Sequence, residues 1–225
     1  MVKVKINSAY SAQPSVAKAN PYVAKAIAYM KKSGAVDYDS GNLSAADQGC
    51  GRLRHLPIIR RFFDNIYLVD TQFQLGRRQI LFGTHDISIP EYISTIKTGK
   101  KRVTVMSNQE FALSRLHLDV IFNICVFDVN IPKTRKDLIS AAHRNLKRNG
   151  VFILIIPRND QSILVRCTAE NKYSDGHVFR HHGIYTFYRN YRETAQLIRY
   201  LSEYGFTLFA DLSVYRQICL IFIKK

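Results

Sequence analysis

The stretch Asn42–Leu56, NLSAADQGCGRLRHL, runs apolar through Leu43–Ala46, reaches Asp47 and then breaks into Gly49-Cys50-Gly51. A simple turn rarely needs two glycines around one small residue. A backbone that must come against a ligand does, because a Cβ would occupy the ligand's volume. Downstream, NIYLVD over Asn65–Asp70 is a second apolar run ending in an acid, placed to accept hydrogen bonds from the ribose hydroxyls of a nucleoside. A tight turn and a helix cap would explain the glycines and Asp70 one at a time, but not their joint spacing.

Outward from this stretch, short apolar runs alternate with helical patterns. The runs are Leu43–Ala46, Ile66–Val69, Val103–Met106, Val120–Val126, Val151–Ile156, Phe206–Leu212 and Ile218–Ile223. Asn20-Pro21 predicts a helix start, with Val23, Ala26, Ile27 and Met30 on one face to about Lys32. Thr134 and Asp137 are spaced as a capping box for a helix over Thr134–Leu146 that ends at Asn149-Gly150. Another helix is expected over Glu193–Tyr204, stopped by Gly205.

Strand and helix in alternation predict an α/β fold, a doubly wound seven-stranded mostly parallel sheet. Too few residues separate the last two runs for a crossover helix, so they should close the sheet as an antiparallel C-terminal hairpin. Residues 1–20 read as a loosely held N-terminal arm and residues 21–225 as a single domain, with a lid-like insertion at about 158–192.

The chain has 225 residues, a hydrophobic content of 47% and a formal charge of +16. Its length allows one sizeable core, and its apolar content argues against disorder. The apolar runs are too short to span a bilayer and the first residues lack a signal-peptide core, so a cytoplasmic protein with no membrane partner is expected. The charge attracts polyanions, nucleic acid first, against the alternative of a bias for solubility. The four cysteines, Cys50, Cys125, Cys167 and Cys219, show no CxxC spacing, so no metal site or disulfide framework is expected. Cys125 and Cys219 lie in apolar runs and read as small buried hydrophobes.

A dinucleotide fingerprint would continue GxGxxG, but Gly51 is followed by Arg52, Leu53 and Arg54. At DQGCG (Asp47–Gly51) and LVD (Leu68–Asp70) the sequence resembles the class I S-adenosylmethionine-dependent methyltransferases. The likeness extends through LDVIFNICVF, LKRNGVFILIIP and the closing hairpin, from about Pro21 to Lys225, although Leu53 stands where the family often has a third glycine. The resemblance implies S-adenosyl-L-methionine as cofactor. Gly49 and Gly51 would approach its methionine part and Asp47 its amino group. Asp70 would bind the ribose hydroxyls, with Thr71 or Gln72 beside the adenine. Asn108 and Gln109 would meet the adenine edge, and Asn123 would face the methyl donor or acceptor.

The acceptor must be read from other features. The chain lacks an Asp/Asn-Pro-Pro-aromatic motif after the fourth strand, and none of its cysteines follows a proline. Both absences disfavour known modes of base methylation in DNA. The segment Arg158–Arg192 interleaves six aromatics with arginines and a lysine, the mixture that tracks phosphates and stacks unpaired bases; an inward-packed hairpin lid explains it equally well. His181 and His182 within it are candidates for a base or an acceptor-positioning pair, against an ordinary lid role. The leading expectation is methyl transfer to an acceptor that includes nucleic acid. The alternatives are a small-molecule or protein acceptor, a non-catalytic nucleic-acid-binding protein on the same fold, and, least in keeping with the glycine pattern, a nicotinamide-dependent dehydrogenase.

Overall fold

The computed structural model describes residues 6–11, 17–97, 99–158, 160–181 and 184–225. All seven expected strands form: β1 (Ser44–Gln48), β2 (Asn65–Asp70), β3 (Arg102–Ser107), β4 (Leu118–Ile124), β5 (Leu146–Pro157), β6 (Phe206–Asp211) and β7 (Gln217–Lys224). They make one sheet in the order β6-β7-β5-β4-β1-β2-β3. The pairs β1/β2, β1/β4, β2/β3 and β4/β5 are parallel, and β7 runs antiparallel to both β5 and β6. Every residue of β4 is buried, as expected of a central strand covered on both faces.

The helices supply the two covering layers. On one side α1 (Pro21–Ser33) packs Val23, Ala26, Ile27 and Met30 against the sheet, beside α2 (Leu56–Ile59). Asn20 caps α1 by accepting the Tyr22 N–H at 3.0 Å, and Gly34 ends it in the left-handed region at φ 70°. Three short helices cluster near the β3 edge: α3 (Gln72–Gly76), α4 (Ile89–Thr95) and α5 (Asn108–Leu113). On the other face α6 (Pro132–Asn145) and α8 (Thr194–Ser202) bury Ile139, Ala142, Leu197 and Leu201. Among the described residues no helix is long and apolar enough to cross a membrane.

Local readings of the sequence needed four corrections. Helix α6 begins at Pro132, whose fixed φ suits a first turn, so Thr134 lies inside the helix and the capping box with Asp137 does not form. It also ends at Asn145, because Leu146 turns extended and enters β5; Asn149, at φ 62°, belongs to an irregularity of that strand. Strand β4 ends at Ile124, since Cys125 adopts φ 55°, which leaves Cys125 half-buried rather than a core residue. Finally, part of the N-terminal arm is held. The Asn7 N–H donates to Tyr185 O at 2.8 Å, and Ser8–Ser11 forms a 3-10 turn whose Ala9 carbonyl accepts from Arg77 at 3.1 Å.

The segment between β5 and α8 is the insertion that the sequence reads as lid-like. It contains α7 (Gln161–Leu164) and a three-stranded antiparallel sheet of Lys172–Tyr173, Gly176–His181 and Ile184–Tyr188. Asp175 joins it to α6, accepting from the buried Arg135 and from Arg189, while Arg135 also donates to the Tyr191 hydroxyl. Phe179, Phe187, Tyr188 and Tyr191 are buried and Tyr185 is half-buried, so most of the lid's aromatics pack inward, while Tyr173 is 39% exposed.

Phe122, at the centre of β4, is fully buried with its ring edge-on to Phe63 at 5.8 Å. Phe122→Ala should therefore lower stability by about 3–5 kcal/mol, read from the urea midpoint at unchanged slope.

Candidate functional site

In a sheet of this order the connection reverses between β1 and β4, and the crevice beyond their carboxyl ends is where an α/β sheet receives its ligand. A cavity of about 90 Å³ lies there, walled by the turn after β1, the loop after β4 and the N-terminal residues Ser8, Ala9 and Ser11. It touches Gly49, Cys50, Gly51 and Asp70, so residues foreseen from the sequence do converge.

The glycine turn is tied back onto β2. Gly49 N–H and Cys50 N–H both donate to Val69 O, at 2.7 and 3.1 Å. Gly51 N–H donates to Asp70 Oδ2 at 2.8 Å, and Thr71 N–H to Asp70 Oδ1 at 2.7 Å. Gly49 (φ 85°) and Gly51 (φ 56°) supply the left-handed conformations this path needs. At Gly49 bareness has a second cause: a Cβ there would sit 2.2 Å from Val126 Cγ2. The volume reserved over Gly49 is thus taken by the chain's own Val126, and the open space lies toward Gly51 and Asp70.

Asp47 is fully buried at the end of β1, and neither carboxylate oxygen has a hydrogen-bond partner among the described residues. Burial, with the Asp70 charge adding to it, pushes its pKa from 3.8 to about 7. Burial also raises Asp70 to about 6, against the opposing pull of the Gly51 and Thr71 amides and of Arg77. Of the two acids Asp70 lines the cavity and Asp47 does not, but their charges act on each other, so negative charge is concentrated on this side of the crevice. Arg52 and Arg54, on the cavity wall, have buried Nε atoms without partners and could meet an anionic group.

The other expected residues fall in different places. Thr71 caps α3, its hydroxyl accepting the Gln74 N–H at 3.1 Å, and Gln72 is exposed. Gln74, two positions on, lines the cavity and donates to Gly51 O. Asn108 and Gln109 begin α5, outside the cavity lining. Asn123 is buried and donates to Gln48 Oε1 at 3.0 Å, while Gln48 donates to Leu138 O at 2.9 Å; this chain leads into the core toward α6. The backbone of His181 lies in the lid strand Gly176–His181, and His182 lies outside the described residues.

The cavity presents His55 instead, a residue missed from sequence. Burial, helped by the Arg54 charge, lowers its pKa from 6.5 to about 3, so the imidazole is neutral near pH 7, and its buried Nε2 has no partner. The local signal was GRLRH: an arginine-rich turn after paired glycines places its next side chains along the same cleft.

No family model matches the sequence, and no curated protein matches it. Solved structures do match its fold. One is the magnesium protoporphyrin IX methyltransferase from Synechocystis with bound SAH, at 16% identity and TM-score 0.57, covering 91% of this chain and 83% of that one. A SAM-dependent methyltransferase from Methanosarcina mazei matches at 13% identity and TM-score 0.62, covering 92% and 98%. The 1,6-didemethyltoxoflavin-N1-methyltransferase from Burkholderia thailandensis, with 1,6-didemethyltoxoflavin and S-adenosylhomocysteine bound, matches at 13% and 0.56, covering 92% and 91%. The likeness is one of fold across nearly the whole chain.

A carboxyl whose folded pKa is raised holds its proton more tightly folded than unfolded, so stability falls as pH climbs from about 4 through the folded value near 7. Asp47→Asn removes that charge. At pH 8 it should stabilise the ligand-free protein by an amount on the order of 2–4 kcal/mol, and at pH 4 change it little, as measured by urea unfolding at both pH values.

Proposed function

We propose that this chain, which has the fold of the Rossmann-like class I methyltransferases, binds S-adenosyl-L-methionine in the crevice between β1 and β4 and transfers its methyl group to an acceptor under the lid. The observation that carries this reading is the buried, partnerless Asp47 beside Asp70. The cofactor brings an ammonium and a sulfonium, both cations, and two hydroxyls for a strand-end carboxylate.

The residues fit that group in chemistry. Asp70 has one oxygen on Gly51 N–H and one on Thr71 N–H, and each oxygen keeps a lone pair for a ribose hydroxyl. Asp47 would neutralise the ammonium, and Arg52 or Arg54 would hold the carboxylate of the methionine part. Gln74, with its buried Oε1 unpartnered, can accept from a ligand N–H or O–H. The crevice must also widen, because sites for ligands of this size run to about 300–1,000 Å³. Val126 and the 3-10 turn Ser8–Ser11 are the walls that have to yield.

When bound, the cofactor supplies an activated methyl carbon whose leaving group needs no further assistance. The protein's share is to position the acceptor, exclude water and accept a proton where the acceptor carries one. His55 is a neutral imidazole on the cavity wall whose unpartnered Nε2 accepts a hydrogen bond and positions the acceptor; with a pKa near 3 it is too weak a base to take the proton itself. The lid, fastened through Asp175 to Arg135, excludes water.

Nucleic acid is the acceptor class favoured by the charge of +16. A small-molecule acceptor is the second reading, favoured by the lid: burial of Phe187 and Tyr188 removes them from base stacking.

Isothermal calorimetry with S-adenosylhomocysteine tests the cofactor site. Asp70→Ala should weaken binding at least tenfold through lost charge-assisted hydrogen bonds; equal affinity in variant and parent would place the cofactor elsewhere. Transfer of radiolabelled methyl groups into nucleic-acid, protein and metabolite fractions identifies the acceptor class.

A further inference from the structure

At the opposite end of the sheet, where β4 and β5 begin and β7 ends, a second concave site of about 640 Å³ gathers cations. Its lining holds Arg115, Arg144, Lys147, Arg148 and Lys224 and contains no acidic residue. Among the described residues the one ion pair in this group is that of Lys147 with Asp119, which is not part of the lining. Two other cations are spent on main-chain carbonyls, Arg144 on Ala112 and Lys224 on Leu146, which fixes them to the cleft walls. Burial, with the Lys224 charge, lowers the pKa of His143 in the same wall. A positive field is therefore held there by geometry, not by mobile surface chains alone.

The backbone builds this cleft. Leu118 of β4 pairs with Leu146 of β5, but Val120 already pairs with Val151, so Lys147, Arg148 and Asn149 bulge out of register into solvent. Asn149 and, on the approach to β4, His117 take left-handed conformations at φ 62° and 53°. Such conformations are uncommon for residues other than glycine. Tyr204, half-buried against Tyr200 with centroids 5.3 Å apart, puts an aromatic ring in the same lining.

We propose that this cleft is a docking site for the phosphate backbone of a nucleic-acid strand, separate from the methyl-transfer crevice. Clustered cations neutralise successive phosphates and release their counterions, and an aromatic ring beside them takes an unpaired base. A bilayer surface fits less well, because a plane of headgroups meets flat or convex faces. Leu113, 82% exposed on the nearby end of α5, is the single large apolar side chain at hand. The two sites are separated by the length of the central strands, about 20 Å for seven residues. A strand held at the basic cleft therefore reaches the lid only if it runs the height of the molecule. The inference rests on the proposed function for the partner's class alone.

The test uses the full chain and a labelled single-stranded RNA of about 20 nucleotides, with binding followed by fluorescence anisotropy from 50 to 200 mM salt. Arg115→Glu with Arg148→Glu should weaken RNA binding at least tenfold at the lowest salt. The neutral pair Arg115→Gln with Arg148→Gln, safer for folding, should flatten the dependence of log affinity on log salt by about 1.4. Calorimetry with S-adenosylhomocysteine on the same proteins should show no change; absence of that binding in the parent bears on the methyl-transfer reading and leaves the RNA result standing. No RNA binding by the parent, or equal affinity and salt slope in parent and neutral pair, overturns the proposal. So does a loss confined to phosphatidylserine vesicles, which assigns the cleft to a membrane.

Discussion

The carboxylate of Asp70 accepts the N–H of Gly51 on one oxygen and of Thr71 on the other. That pair of bonds fixes the end of β2 to the turn leaving β1 and sets where α3 starts. It also leaves a second acid, Asp47, buried beside it without a partner. An unpaired buried carboxylate lowers stability, and strongly perturbed acids of this kind cluster at functional sites.

Around this centre the protein has closed itself more than a bare strand-turn-helix motif implies. Val126 fills the space above Gly49, and Ser8–Ser11 lies across the mouth, held by Arg77 and by Tyr185 of the lid. The Arg77 guanidinium lies 5.4 Å from the Tyr10 ring and 5.8 Å from that of Phe73. Contacts of this kind on a short segment are individually weak. The lid is fastened more firmly, because Asp175 and Arg135 are charged partners with Arg135 buried. Breaking such a pair strands a buried charge.

Charge is unevenly distributed over the molecule. Near the glycine turn the acids Asp47 and Asp70 are buried, and Arg52 and Arg54 are half-buried with Nε atoms unpartnered among the described residues. At the far end of the sheet, cations are crowded and face solvent. The first arrangement suits a small ligand with charges of both signs; the second suits a long anion of uniform sign.

The seven runs, the reversed hairpin, the glycine turn and its acid were legible in the sequence because each is a local pattern. Strand burial repeats along the chain, Gly49 and Gly51 mark positive φ, and Asp70 ends a run. The resemblance to class I methyltransferases rested on those same residues, and the fold agrees with it. What the sequence could not hold was anything decided by residues far apart in the chain. Gln72, Asn108, Gln109 and Asn123 were chosen by position, but rotation at a helix cap exposes Gln72, and pairing of β1 with β4 turns Asn123 toward Gln48. His55, Val126 and Ser8–Ser11 enter the crevice only because the chain folds back on itself there. Likewise five cations scattered from Arg115 to Lys224 become one cleft only when β4, β5 and β7 lie side by side. Local chemistry fixes which way a chain turns, and only tertiary packing decides which side chains then share one space.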